Sequence, residues 1–155
     1  MEGGLVRSQI GVIGGAQCSA EIYEIACEVG REIAKKGFSL VCGGLGGVME
    51  AACRGAKEEG GITIGILPSS NKRDANQYVD FIIPTGLGHA RNFLVVYASD
   101  GLVAVDGEAG TLSEIAIALK VGKPIVGIKT WKLEERFPLA EGGRESIAIL
   151  MDMLR

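Results

Sequence analysis

No two of the four cysteines stand in a CxxC spacing; Cys18, Cys27, Cys42 and Cys53 are scattered through the first third of the chain. That excludes the usual zinc-ligand pattern and a disulfide framework, so no metal site is expected and a reduced compartment is. Cys27 and Cys42 fall in apolar patterns where cysteine behaves as a small buried hydrophobe, and Cys18 is the one expected nearer the surface. A basic excess is also missing: sixteen Lys and Arg are spread among nineteen acids, for a net charge of −3. This argues against a general nucleic-acid binder. No apolar run approaches the ~18 residues of a membrane span, and residues 1–7 carry no apolar leader. The expectation is a soluble, cytoplasmic protein with no membrane or nucleic-acid partner. Two nucleotide-binding fingerprints are absent as well, since neither GxGxxG at the first helix nor GxxxxGK[ST] occurs.

What the chain has in excess is glycine, 24 in 155 residues, much of it directly after apolar runs. Residues 10–13 form a short apolar run closed by Gly14-Gly15, as expected of a buried strand with a tight exit. Over residues 19–36, Ile22, Ile25, Ala26, Val29 and Ile33 repeat at helical spacing, with Ser19 as N-cap and Gly37 as stop. The pattern returns with a strand at 38–42, a glycine turn at 43–47 and a small-residue helix from Val48 that ends near Gly60. Further strands are expected at 62–67, 79–83, 101–105 and 125–128, with helices at 88–99, 111–121 and around Ile147 to Leu154. Residues 69–77 read as a polar loop. Continuous apolar strands separated by amphipathic helices imply a parallel sheet covered on both faces. The expected fold is therefore one α/β domain, a three-layer Rossmann-like sandwich with a mostly or wholly parallel sheet of about six to seven strands. At 47% hydrophobic, the chain can fill such a core without staples.

Ligands of open parallel sheets bind beyond the carboxyl ends of the strands. Three glycine clusters fall at that edge: Gly14 and Gly15; Gly43, Gly44, Gly46 and Gly47; and Gly107 and Gly110. Each can bring backbone N–H groups close to a phosphate at a helix start. One such cluster would signify only a tight turn, but three on one edge point to a shared anion site. Thr111 and Glu114 have the spacing of a capping box, which on physical grounds alone is the preferred reading of that pair. Arg91 suits bidentate contact with a phosphate or carboxylate, Asn92 a polar positioning role, and His89, the single histidine, a structural place at a helix start.

Three segments carry a family resemblance: 41–51 (VCGGLGGVMEA), 86–92 (GLGHARN) and 107–114 (GEAGTLSE). They resemble the LOG-like (SLOG) Rossmann-fold superfamily, whose members are sometimes labelled lysine decarboxylase-like, and most closely its short branch, which includes molybdenum cofactor carrier proteins. The resemblance spans residues 10–128. The better-studied relatives are phosphoribohydrolases that cleave the N-glycosidic bond of nucleoside 5′-monophosphates, with a PGGxGTxxE pattern and an upstream arginine. It implies that Glu114 and Arg91 take the catalytic positions and that Gly107, Gly110 and Thr111 hold the phosphate, Glu114 stabilising the oxocarbenium-like charge or orienting water. This sequence departs from the hydrolase pattern at Asp106, where proline is usual, at Glu108, where the second glycine stands, and at Asn92, where the hydrolases have lysine. A carboxylate at 108 would repel a phosphate at ~4 Å by about 1 kcal/mol in water and more in a drier site. Nothing in the sequence supports lysine decarboxylation.

Three functions follow as expectations. The first is a binding protein for a phosphorylated pterin or nucleotide, with the molybdenum cofactor as a candidate ligand and no required cofactor of its own. The second is a nucleoside 5′-monophosphate phosphoribohydrolase; the third is a module whose glycines are only turns. The resemblance also implies a homo-oligomer, a dimer or tetramer, with the small-residue helix 48–56 and the stretch 93–97 as candidate contacts.

Overall fold

The computed structural model describes residues 8–133 and 136–155; residues 1–7, read above for a leader, lie outside them. Seven strands form one sheet: β1 (Gln9–Gly14), β2 (Ser39–Cys42), β3 (Thr63–Leu67), β4 (Phe81–Pro84), β5 (Gly101–Val105), β6 (Ile125–Ile128) and β7 (Leu139–Ala140). Their order is β4-β3-β2-β1-β5-β6-β7, and every pairing is parallel. Four helices, α1 (Ala20–Lys35), α2 (Val48–Glu58), α3 (Arg91–Ala98) and α4 (Ala109–Val121), connect strands, and α5 (Gly143–Met153) follows β7.

The two faces of the sheet account for the unbroken apolar runs. Ile10, Val12, Leu40, Cys42, Val103 and Val105 point into a core shared with α1, α2 and α5. Their neighbours Ile13, Val41, Leu102 and Ala104 point the other way, toward α3 and α4. Since successive side chains alternate between faces, burial of both faces requires an apolar residue at almost every strand position. The sandwich expected from the sequence is therefore the fold observed.

The small-residue face of α2 is spent inside the molecule. A Cβ at Gly30 would come within 1.9 Å of the Ala52 carbonyl, and one at Gly55 within 1.9 Å of the Cys27 carbonyl. These reciprocal glycines let α1 and α2 pack backbone to backbone, so the 48–56 surface is an intramolecular contact. The stretch 93–97 is different. Phe93, Leu94 and Tyr97 are exposed on α3.

Some boundaries differ from the sequence reading. The helix expected over 88–99 is a three-residue 3-10 turn, Gly88–Ala90, followed by α3. The strand expected at 79–83 is displaced to Phe81–Pro84, and just before it the Asp80 carboxylate accepts from Lys57 Nζ and from the Thr63 N–H. β7 lies outside the strands that the sequence pattern predicts, since two residues cannot establish a periodicity. Within the polar loop 69–77, Lys72–Asp74 form a short 3-10 turn started by Asn71, whose side chain accepts from the Arg73 N–H.

Candidate functional site

Strand order reverses at β1: the chain moves outward through β2, β3 and β4, then returns to place β5 on the other side. Connections on the two sides diverge at such a point and leave a crevice over the strand ends. A cavity of about 460 Å³ lies there, bounded by the exits of β1, β2 and β5 and by residues of α3 and α4. That is within the range of small-molecule sites.

The glycine clusters divide between lining this cavity and shaping the loops behind it. Gly14, Gly15, Gly43, Gly107 and Gly110 line it; Gly44, Gly46 and Gly47 do not. Gly47 has φ +59, and a Cβ there would sit 2.3 Å from the Gly15 carbonyl, which in turn accepts from Val48 N–H at 3.0 Å. The second glycine cluster thus locks the β1 exit loop in place. Gly107, at φ +100, has no room for a side chain because Thr111 packs directly over it, a Cβ falling 2.3 Å from Thr111 Oγ1. Gly110 has no such internal reason: a Cβ there would meet no atom within 4 Å.

The tight turn at Gly107 overturns the capping-box reading. It lets α4 begin at Ala109, two residues before the expected start, with Glu108 at the cap position making no side-chain hydrogen bond. Thr111 is consequently a buried residue of the first turn, and Glu114 lies deeper in the helix, buried as well. The first intrahelical bond runs from Leu112 N–H to the Glu108 carbonyl. Helix geometry leaves the N–H groups of Ala109, Gly110 and Thr111 outside that ladder. These donors sit at the positive end of a 13-residue helix whose first residues line the cavity.

Arg91 and Asn92 form the opposite wall, both buried. Arg91 Nε donates to the Ile66 carbonyl at 2.9 Å, Nη1 donates to Asn92 Oδ1, and Nη2 reaches the Gly43 carbonyl at 3.5 Å. Asn92 Nδ2 donates to Ser113 Oγ at 3.1 Å, and Ser113 donates to the Gly110 carbonyl at 2.6 Å. A single chain of hydrogen bonds thus runs from the end of β3, through α3, to the first turn of α4. Burial lowers the Arg91 pKa, with the Glu114 charge acting against that. Glu114 is 7% exposed and, among the described residues, is in no close ion pair or hydrogen bond. Burial pushes its carboxyl up to about 8, and Arg91 offsets only part of this.

Both departures at the β5 exit have a backbone explanation. Asp106 has φ +51, a conformation closed to proline, whose ring holds φ near −65°. Glu108 has φ −118 and needs no glycine; its side chain is exposed and its carbonyl accepts from Trp131 Nε1 at 3.2 Å. His89 is exposed and lines the cavity mouth. Gln17 and Met49 also line it; the sequence offered no motif by which to single them out. Among the described residues, no group of three His, Cys, Asp or Glu side chains could hold a metal ion.

A model of the SLOG cluster4 family matches residues 7–151. The chain belongs to that family. A solved molybdenum cofactor binding protein from Rippkaea orientalis superposes with TM-score 0.92 at 36% identity, covering 97% of this chain and 99% of that one. The molybdenum cofactor carrier protein of Chlamydomonas reinhardtii superposes with TM-score 0.87 at 36% identity, over 96% and 98%. An uncharacterised protein of Archaeoglobus fulgidus is 49% identical over 90% of this chain and 91% of its own length. A cytokinin riboside 5′-monophosphate phosphoribohydrolase of Mycobacterium tuberculosis is 35% identical over 72% of this chain, which spans 65% of that enzyme.

Proposed function

We propose that this protein binds a phosphorylated pterin- or nucleotide-like molecule in the β1/β5 crevice, in the manner of its molybdenum cofactor-binding neighbours. The observation that carries the reading is the start of α4. A long helix begins at the cavity with no side-chain cap, three N–H groups outside its ladder and a glycine beside open space. Such an end favours a phosphate through its donors and its dipole. The cavity volume suits a mononucleotide or a phosphorylated pterin, and Arg91 and Asn92 supply the polar wall. Similarity to a molybdenum cofactor binding protein and a molybdenum cofactor carrier protein over nearly the whole chain supports the pterin class. The test is thermal denaturation with AMP, GMP or molybdopterin: a rise in Tm with at least one supports the reading, and no rise with any refutes it.

The phosphoribohydrolase reading rests on Arg91 and Glu114 lining one cavity. A carboxyl titrating near 8 is mostly protonated at neutral pH, so the chemistry open to it is that of a general acid protonating the departing base. Free adenine released from AMP by the wild type and not by Glu114→Gln would establish it; no release by either would exclude AMP hydrolysis.

Homo-oligomerisation has its own support. Phe81 and Ile83 pair in register with Ile64 and Ile66, side chains that pack on the α3 side of the sheet. Parallel register places them on that same face, where they are exposed, as are Phe93, Leu94 and Tyr97 of α3. Three helices cover the opposite face and two cover this one. A second copy of the chain is the proposed cover. Light scattering on wild type and Phe93→Glu decides it: an assembly larger than one chain that the variant dissolves is the expected outcome, and a monomeric wild type refutes it.

A further inference from the structure

Glu114 is an unusual wall for an anion site. It lies within a cavity that Asp106 and Glu108 also line, and it is almost wholly buried. The Arg91 charge opposes the effect of that burial but does not outweigh it. The Arg91 guanidinium is held by the Ile66 and Gly43 carbonyls and by Asn92, and makes no close ion pair with Glu114 among the described residues. The remaining ionisable groups around it are Cys42 at the end of β2, His89 before α3, and the two acids of the β5 exit; β1 contributes apolar residues, glycines and Gln17. Ionised, Glu114 would place another negative charge where the α4 N–H groups gather one. Neutral, it presents an O–H donor and an acceptor.

We propose that the cleft holds its anionic ligand only with a neutral Glu114, so that binding is coupled to a proton on that side chain. This rests on the phosphorylated-ligand reading and adds to it a regulation of the same site by pH. Two features of the geometry carry it: a carboxyl buried with no close partner among the described residues, and its place among acids in the cavity at the start of α4. Burial, which already pushes this group up to about 8, acts in the same direction, and a bound dianion raises it further. The sign follows directly. Ligand prefers the protonated form, so affinity holds below the pKa of the free protein and declines as pH rises through it.

The experiment is calorimetric titration of the whole protein with AMP between pH 7.5 and 9.5, a range over which the phosphate stays dianionic. Wild type is expected to lose affinity about 25-fold, the ratio of neutral carboxyl at the two ends for a pKa of about 8. At pH 8.5, titrations in buffers of different ionisation enthalpy should show net proton uptake. Glu114→Gln, neutral at every pH, should hold one affinity across the range and take up no proton. His89→Gln should keep the wild-type decline, which assigns the proton to Glu114. AMP bound by wild type with a flat profile, or Glu114→Gln declining in parallel, overturns this inference alone. No AMP binding by wild type at pH 7.5 overturns it together with AMP as a ligand of the cleft.

Discussion

α1 and α4 both leave the carboxyl edge of the sheet from central neighbouring strands, and they begin in opposite ways. At α1 the chain closes its own helix end: Ser19 Oγ accepts from Ile22 N–H at 3.2 Å, and the first-turn acid Glu21 is exposed, 3.5 Å from Lys129. At α4 no side chain among the described residues caps the start. The cap residue makes no side-chain bond, the second helical residue is Gly110 beside open space, and the acid lies not in the first turn but further in, buried. The same helix-start physics is used once for stability and once left available for a ligand. The glycine count does not separate the two cases; the caps do.

The largest effect that would sharpen this contrast is the pH dependence of stability. An exposed first-turn acid such as Glu21 is favoured by the helix dipole when charged, whereas Glu114 is held well above its ordinary value by burial. The folded state keeps a proton on Glu114 that the unfolded chain releases near pH 4.5. Stability from this group is therefore intact below about 4.5, falls as pH rises toward 8, and is level above that. The loss is on the order of 4 kcal/mol across the window. Urea denaturation from pH 5 to 9 should show this slope in wild type and lack it in Glu114→Gln, making the variant the more stable protein at pH 9. Equal slopes in the two proteins would mean that Glu114 is not buried as described.

Next in size is closing the open end. Gly110→Asp introduces a carboxylate at the second position of α4, where the dipole favours it and no atom within 4 Å obstructs a Cβ. Denaturation should therefore be unchanged or slightly improved. Binding of AMP should fall about 100-fold, because the new charge competes for the N–H groups the phosphate would use; 100-fold corresponds to about 2.7 kcal/mol. Undiminished AMP binding would remove α4 from the ligand site.

How far the sequence could be read depends on the range of the interaction involved. Helical and apolar spacing are local, and they predict the parallel sheet, which is buried on both faces at its central strands though not at β4, and the capped start of α1. The start of α4 was misread because Thr111 and Glu114 carry the spacing of a capping box, and that spacing cannot reveal the left-handed turn at Gly107 that starts the helix two residues early. Arg91 and Glu114 were singled out as a pair by resemblance; their meeting in one cavity depends on the β1/β5 reversal, which no local pattern encodes. The division among the glycines was equally invisible. Gly47 and Gly110 are the same letter, yet one is filled against the Gly15 carbonyl and the other faces open space. Phe81 and Ile83 gave no sign of exposure either, because a β-strand at an uncovered edge has the same apolar text as one beneath a helix.

The smallest effect tests the closed member of the pair. Ser19→Ala removes the acceptor for Ile22 N–H and leaves an exposed cap position. Loss of an N-cap of this kind is worth about 1 kcal/mol, which for a domain of this size lowers Tm by about 2–4 °C. AMP affinity should be unaffected, since Ser19 does not line the cavity. The combination matters more than either number. A cap that moves stability without binding, set against Gly110→Asp moving binding without stability, would show that the two helix starts do separate work. If Ser19→Ala weakened AMP binding as much as it lowered Tm, the two ends would be mechanically coupled through the β1 exit loop. The Gly15 and Ala16 backbone, which Gly47 packs against, would then be the connection to examine.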